Sequence, residues 1–592
     1  MHRRDFLSLL PLLAACASAP TVKTTGGAKR RVPRLLATDA DFQALATRRK
    51  LDADLDRFVM LLLERANSDL RLSLLERKLQ GKRLLDVSRE FIRRSLLWAF
   101  AWRVTGNEVW LDRARREMLN VASFSDWNPS HYLDVAEMTA GLAISYDWLY
   151  SALSEEDRRT VRRAIVDKGI AQARHGHKTF DMTNNWGQVC IGGMVLGALA
   201  VEDDEPELAA DLLAAARTKA FLALDAYRPD GVYPEGPGYW TYGTSYEVLL
   251  IAALRGLRNT DWGLLQAPGL LRSAEFYAHA VGPTGKHFNF SDSGEGQELA
   301  TPFFYLAREL KQPGLLAPKR TMIRNKQGLS ERFAPLAALW WPTAGNDAPP
   351  PLHFAGQGHQ PVAIWRSSWT DPNALYFAIK AGGAAHNHAH MDAGSFVLDF
   401  DGVRWARDLG MQDYNSLESR GVDLWNMKQD SPRWKVFRLG NAAHSTLMVD
   451  LQLHNATGMA TLAMPGENEA LIDLTPVFLP GQLKRATRQA RFESNAVSLQ
   501  DEIAGAKPGS SVRWAMTTEA AIRIEGQTAV LSIANKSLRV RFTGSAAQLS
   551  VQDISRPANP LDVANPNVRQ LVVSGTADAA GNWQLGTRFS RE

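Results

Sequence analysis

The chain has 592 residues, 45% of them hydrophobic and 22% charged, enough to bury a large core and divide into two or more domains. A formal net charge of +5, with no long Lys/Arg run and no basic–aromatic repeat, argues against a nucleic-acid-binding protein. A local cationic cleft for an anionic substrate stays open. Only Cys16 and Cys190 occur, so there is no disulfide framework.

In chain order, residues 1–15 read as a signal peptide. Arg3 and Arg4 form a basic start resembling a twin-arginine signal, and Phe6 to Leu13 supply an apolar run too short to span a membrane. Leu13-Ala14-Ala15-Cys16 resembles a bacterial lipobox, with Cys16 as the lipidated residue and 16–37 as a tether. The expectation is an exported lipoprotein, periplasmic or outer-membrane-associated, touching the membrane only through its lipid. Residues 38–342 carry apolar positions at three- and four-residue spacings, as in "RSLLWAFAWRVTGNEVWLDRARREMLNVA", which predicts helical hairpins in a solenoid or toroid. Ser154 followed by Glu155, Glu156 and Asp157 predicts a helix start. A Pro/Gly/Asn-rich linker is predicted at 343–360. Residues 361–592 break into short runs that alternate apolar with polar residues, such as "ALYFAIKAG" and "SFVLDFDGVRWARDLG", and predict an antiparallel β-sandwich.

Three stretches combine polar side chains with turn residues. In "DMTNNWGQVC", Asn184, Asn185 and Gln188 offer amide donors that bind a carboxylate without adding a rival charge; a helix cap is the plainer reading of either asparagine. In "RPDGVYPEGPGYWTYGTSYE", Tyr239 and Tyr242 stand among glycines, with Glu235 and Trp240 as candidate substrate-binding residues, and a phenol can give or take a proton. A tyrosine-rich packing loop is the alternative. In "AAHNHAHMDAGSFVLDFDG", a strand would place His386, His388, His390 and Asp392 on one face. Neutral imidazoles with a carboxylate suit zinc, and histidine also suits proton transfer near neutral pH.

Taken together, "NNWGQ", "DGVYPEGPGYWTYGTSY" and "HAHMDAGSFVLDFDG…RDLG" followed by "HST" resemble, in order, the heparinase II/III-like and alginate lyase superfamily of bacterial polysaccharide lyases. The resemblance spans roughly residues 85 to 590. It implies an α+β multidomain chain, an N-terminal (α/α) toroid followed by a C-terminal antiparallel β-sandwich. It also implies β-elimination on an anionic uronic-acid polysaccharide. By position, Asn184 and Asn185 match the pair that binds the uronate carboxylate, with Gln188 as a helper. Tyr239 matches the catalytic tyrosine, with Tyr242 second, and His388 the catalytic histidine. His390, Asp408 and His444 match the ligands of a structural zinc. His386 has no counterpart. Where many relatives carry histidine this chain has Asn185, and His444-Ser445-Thr446 replaces His-Asn-Thr, which leaves the polymer unassigned.

Two rivals remain. A toroidal glycoside hydrolase needs two carboxylates flanking the bond, and Glu235, Asp292 and Glu295 are available. A surface-tethered glycan-binding lipoprotein needs no chemistry at all. The sequence assigns no oligomeric state.

Overall fold

The computed structural model describes residues 32–343, 345–545 and 548–591. The signal peptide, Cys16 and the first half of the tether lie outside the described residues. The helical half runs α1 (Asp39–Arg48), α2 (Ala53–Ser68), α3 (Leu85–Thr105), α4 (Glu108–Ala122), α5 (Tyr132–Leu149), α6 (Glu155–Ala164), α7 (Asn185–Val201), α8 (Pro206–Lys219), α9 (Gly236–Arg258), α10 (Ser273–His279), α11 (Thr301–Glu309), α12 (Ala317–Arg324) and α13 (Ala334–Leu339).

Composition sorts these helices into two layers. Every residue of α5 is buried, and α7 is nearly as apolar, so both must be enclosed on all sides. By contrast α6, with sequence EEDRRTVRRA, buries little beyond Val161 and Ala164 and belongs outside. Its start is as expected, with Ser154 accepting from the Asp157 amide. The inner helices α3, α5, α7, α9 and α11 pack in succession, and α13 touches both α11 and α3, closing the ring. Small residues permit the tight spacing: a Cβ on Gly193 would lie 2.3 Å from the Ala136 carbonyl. Among the described residues, no helix is long and apolar enough to cross a membrane.

The C-terminal half is wholly antiparallel, but it forms three sheets rather than a simple pair. The first contains β1 (His353–Gly356), β2 (Val362–Arg366), β3 (Tyr376–Lys380), β4 (Phe396–Phe400) and β5 (Val403–Ala406), in that order. An eight-stranded sheet and a four-stranded sheet follow. The strand β1 lies inside the stretch expected to be linker.

The first sheet joins the two halves. Val362, Ile364, Tyr376, Ala378 and Val397 pack into the helical core. Their neighbours Ala363, Trp365, Phe377, Ile379 and Leu398 pack into the β core. Side chains alternate across a strand, so β2, β3 and β4 each feed both cores. That corrects the expectation of one polar face: β2, β3, β4 and β5 are buried throughout.

Candidate active site

The inner helices start on one side of the ring, and their first turns line a single cleft of about 1670 Å³, closed on its far wall by loops of the β half. That exceeds the ~300–1,000 Å³ of a small-molecule pocket and suits several linked sugar units. Arg89 of α3, His131 before α5, Asn184 and Asn185 of α7, and Tyr239 of α9 all face it. Helix N-termini carry partial positive charge, so the wall favours an anion even before its side chains are counted.

Asn184 takes the plainer of the two readings, a helix cap, and it also lines the cleft. Its side chain caps α7 by accepting from the Trp186 amide at 3.1 Å. Asn185 sits beside it, with a buried Oδ1 that has no hydrogen-bond partner. Gln188 departs from expectation. It is buried one turn deeper, donating to Tyr227 at 2.8 Å and accepting from Tyr233 at 3.3 Å, and it does not line the cleft. Helical geometry turns it inward to tie α7 to α9. Trp240 departs too: it is fully buried and stacked on Tyr277, facing away from any substrate.

Tyr239 and Tyr242 stand one turn apart at the start of α9, and both are accessible from the cleft. Gly236 opens this helix at φ +83, where a Cβ would strike the Phe290 carbonyl at 2.4 Å. Only glycine lets α9 begin against the 290–293 loop, and that loop delivers Asp292.

Asp292 is the hub. Its Oδ2 lies 2.9 Å from His388 Nδ1 and accepts from the Tyr414 hydroxyl at 2.9 Å, while its Oδ1 lies 2.9 Å from His390 Nε2. Burial alone raises this carboxyl, but the hydrogen bonds from His388 and His390 outweigh it and hold Asp292 well below the usual range. The Tyr239 hydroxyl lies 2.8 Å from that of Tyr414, and its ring stacks on His388 with centroids 4.0 Å apart. Burial pushes the Tyr239 phenol well above its usual value, with the Asp292 charge adding to it, so at neutral pH it carries its proton.

The histidine-rich segment is an irregular loop between β3 and β4, not a strand. His388 adopts φ +63, a left-handed conformation that breaks the alternation expected to put four side chains on one face. His388 faces the cleft, whereas His390 is turned into the interior. Asp392 pairs with Lys380 at 2.5 Å and braces the loop. His386 leaves the site altogether and packs on His359, with ring centroids 4.2 Å apart. Glu235 is buried below the cleft floor, accepting from Asn387 at 3.4 Å, with its second oxygen 3.9 Å from His388 Nε2; burial raises its pKa.

Tyr242 is engaged differently, donating to Glu137 at 2.6 Å beneath Arg89 and Arg332. These arginines and Arg83 are among the cations that line the cleft, with Arg65, Lys82, Arg93 and Lys326. Arg174 and Arg404, basic residues near the motifs, are tied to Asp211 and Asp399 elsewhere.

Across the mouth runs a segment of the β half containing α14 (Tyr414–Glu418), fastened by Glu418 to Lys82 at 3.0 Å and Arg83 at 2.8 Å. Tyr414, Asp292, Glu137 and Arg89 belong to none of the motif roles read from the sequence. They are far apart in the chain, and only folding brings them together. Tyr414, six residues beyond Asp408, and Asp292 in "FNFSDSG" were the nearest to a readable signal.

Comparison with known proteins fits this arrangement. Residues 349–585 match the family described as Heparinase II/III-like, C-terminal. The C-terminal region is thus similar to a heparinase II/III-like domain. Among curated proteins, none matches the chain by sequence. Solved structures similar in fold include a heparinase III, at 13% identity and TM-score 0.60, covering 90% of this chain and 85% of that one. Heparan sulfate lyase HepC from Pedobacter heparinus gives 14%, TM-score 0.54, and 85% and 75% coverage. Chondroitin AC lyase of Streptomyces coelicolor A3, in complex with chondroitin sulphate, gives 13%, TM-score 0.50, and 91% and 80% coverage. At these identities the likeness is one of fold, helical ring followed by antiparallel sheets.

In the region that matches this family, the expected zinc residues are neighbours. His444 Nδ1 lies 2.7 Å from Asp408 Oδ2, and the His390 and His444 rings are 5.5 Å apart. His390 Nδ1 and His444 Nε2 are buried without partners among the described residues, which is donor chemistry that suits zinc. Among the described residues, however, no group of three His, Cys, Asp or Glu side chains is disposed as a metal cage. Among the described residues Cys190 is buried and unpaired, its thiol pushed by burial up to about 12.

Proposed function

We propose that this protein is a polysaccharide lyase that cleaves a uronic-acid-containing polymer by β-elimination. The observation that carries the reading is the pairing of Tyr239, stacked on His388 and joined through Tyr414 to Asp292, with the amides of Asn184 and Asn185 in the same cleft. The proton on C5 of a uronate is weakly acidic because removing it drives charge into the neighbouring carboxylate. Amide donors and the α7 N-terminus stabilise that charge, an effect worth about 3 kcal/mol per donor in comparable sites. Tyr239, protonated at rest, delivers its proton to the departing O4. His388 and Tyr414 hold the phenol, and Asp292 fixes both.

A hydrolase reading loses its pair of acids: Asp292 is consumed by two histidines and Glu295 is paired with Lys286 and Arg407, which leaves Glu235 alone. The test is a panel of glycosaminoglycans, alginate and acidic exopolysaccharides. Ultraviolet-absorbing unsaturated ends support the reading, and saturated products or none from every polymer would defeat it. A bound polymer that is never cut would favour the glycan-binding alternative.

Two further expectations belong to this reading. Zinc held by His390, Asp408 and His444 would brace the loop that carries His388 rather than touch substrate; elemental analysis showing no stoichiometric metal would refute it. Lipidation of Cys16 would tether the enzyme, and the mass of the mature N-terminus from a bacterial host would decide it.

A further inference from the structure

An elimination with a protonated tyrosine as its acid needs a separate base, and two histidines face the cleft. His388 is poorly placed to serve. Its Nδ1 lies 2.9 Å from Asp292 and 3.0 Å from the Tyr414 hydroxyl, and its ring is stacked on Tyr239, the acid itself. Glu235 stands 3.9 Å from Nε2, beyond hydrogen-bond reach.

His131 differs. It occupies the cap position before α5 without capping the helix, and its Nδ1 lies 3.0 Å from Asp134 Oδ1. Asp134 is fully buried, and its other oxygen accepts from the Leu84 amide at 2.7 Å and Asn128 at 2.5 Å. An ionised carboxylate only accepts, so Nδ1 carries the hydrogen and Nε2 keeps its lone pair. That nitrogen has no hydrogen-bond partner among the described residues, on a side chain that lines the cleft. The ring meets Trp186 edge-on at 4.9 Å, which sets it beside the start of α7 and therefore beside Asn184 and Asn185. C5 of a uronate is bonded directly to the carboxylate those amides would hold, so its proton must sit near that same edge.

Building on the lyase reading above, we propose that His131 is the catalytic base, oriented by Asp134. The Nε2 lone pair takes the C5 proton, and the C5–H electrons form the C4=C5 double bond. The C4–O4 bond breaks, and its electrons leave on O4, which receives the Tyr239 proton. Imidazolium and phenolate remain; the first loses a proton to water and the second regains one, restoring the enzyme.

The test starts from wild-type protein on a polymer it demonstrably cleaves to unsaturated ends; failure at that step refutes the lyase reading itself, not this assignment. His131→Gln keeps a polar group towards Asp134 but cannot take a proton. It should lower kcat by ~10²–10⁴-fold, with KM changed only a few-fold and an unaltered melting temperature. His131→Ala should recover turnover when imidazole is added, in proportion to its basic form. A His131→Gln enzyme within about threefold of wild-type kcat would overturn the proposal. So would a folded His131→Ala enzyme that imidazole leaves inactive. If the alanine variant does not fold, the glutamine variant decides.

Discussion

Tyr239 and Tyr242 are one helical turn apart and chemically identical, so replacing each by phenylalanine separates catalysis from architecture. Tyr239→Phe removes a hydroxyl whose partner is the Tyr414 hydroxyl. Tyr414 keeps Asp292 and His388 within hydrogen-bond reach, so no buried group is orphaned. The stability cost is that of one neutral hydrogen bond, about 1 kcal/mol, while turnover should fall ~10²–10⁴-fold with the acid gone. Tyr242→Phe instead deprives the buried Glu137 carboxylate of a 2.6 Å hydrogen bond, leaving the Arg89 Nε bond and an Oε2 that already lacks one. Hydrogen bonds to charged groups contribute about 1.5–3 kcal/mol, so this variant should melt earlier yet keep kcat within about tenfold of wild type. Initial rates of ultraviolet-absorbing product and thermal melts on the same samples give both numbers. A Tyr239→Phe enzyme retaining a tenth or more of wild-type kcat, or an inactive but fully stable Tyr242→Phe enzyme, would refute the assignment.

Other outcomes follow from the same geometry. Asn185→Ala should lower kcat by ~10²–10³-fold with a smaller change in KM, because its amide acts on charge that develops during reaction; a pure KM effect would place it in ground-state binding. Burial pushes Glu247 up to about 8, against a hydrogen bond from Gln188 that lowers it. The folded state therefore holds this proton where the unfolded chain has released it. Stability should be full below about pH 4.5 and fall by at most about 1.4 kcal/mol per unit until about pH 8. Glu247→Gln should remove that slope, and denaturant melts from pH 5 to 9 that superimpose for both proteins would contradict it. Glu418→Ala unties the segment across the cleft mouth from Lys82 and Arg83, and should shift KM for polymer several-fold while leaving kcat within about threefold. Equal changes in both constants would mean the segment positions Tyr414.

Much of the fold is legible in the chain because periodicity reports burial. A spacing of three and four marks the helices, and the fully apolar α5 and α7 declare themselves inner. What periodicity hides is a sheet enclosed on both faces. In "ALYFAIKAG" the Tyr and Lys look solvent-facing, yet Tyr376 donates to the His279 carbonyl inside the helical core and Lys380 pairs with Asp392. The site is half legible. Asn184, Asn185, Tyr239 and His388 stand in motifs whose residue types suit the chemistry. Gln188 and Trp240 stand in the same motifs but point inward, because a helix exposes only part of its circumference to a cleft. The left-handed turn at His388 undoes an alternation that spacing alone implies. Asp292 comes from a loop and Tyr414 from the start of α14, 96 to 175 residues from partners such as His388 and Tyr239, and only the ring's contact with the β half sets them side by side. His131 and Asp134 were within reach, since a histidine with an aspartate three residues on at a helix start is a readable pattern.

The central claim is that the bond is broken by elimination. Product mass and ultraviolet absorbance, followed together on a uronic-acid polymer cut by the purified protein, test it directly. The account predicts a new non-reducing end that absorbs in the ultraviolet and is lighter by one water than the hydrolysed fragment. A saturated end carrying that water, formed at the same rate by the Tyr239→Phe variant, would contradict it.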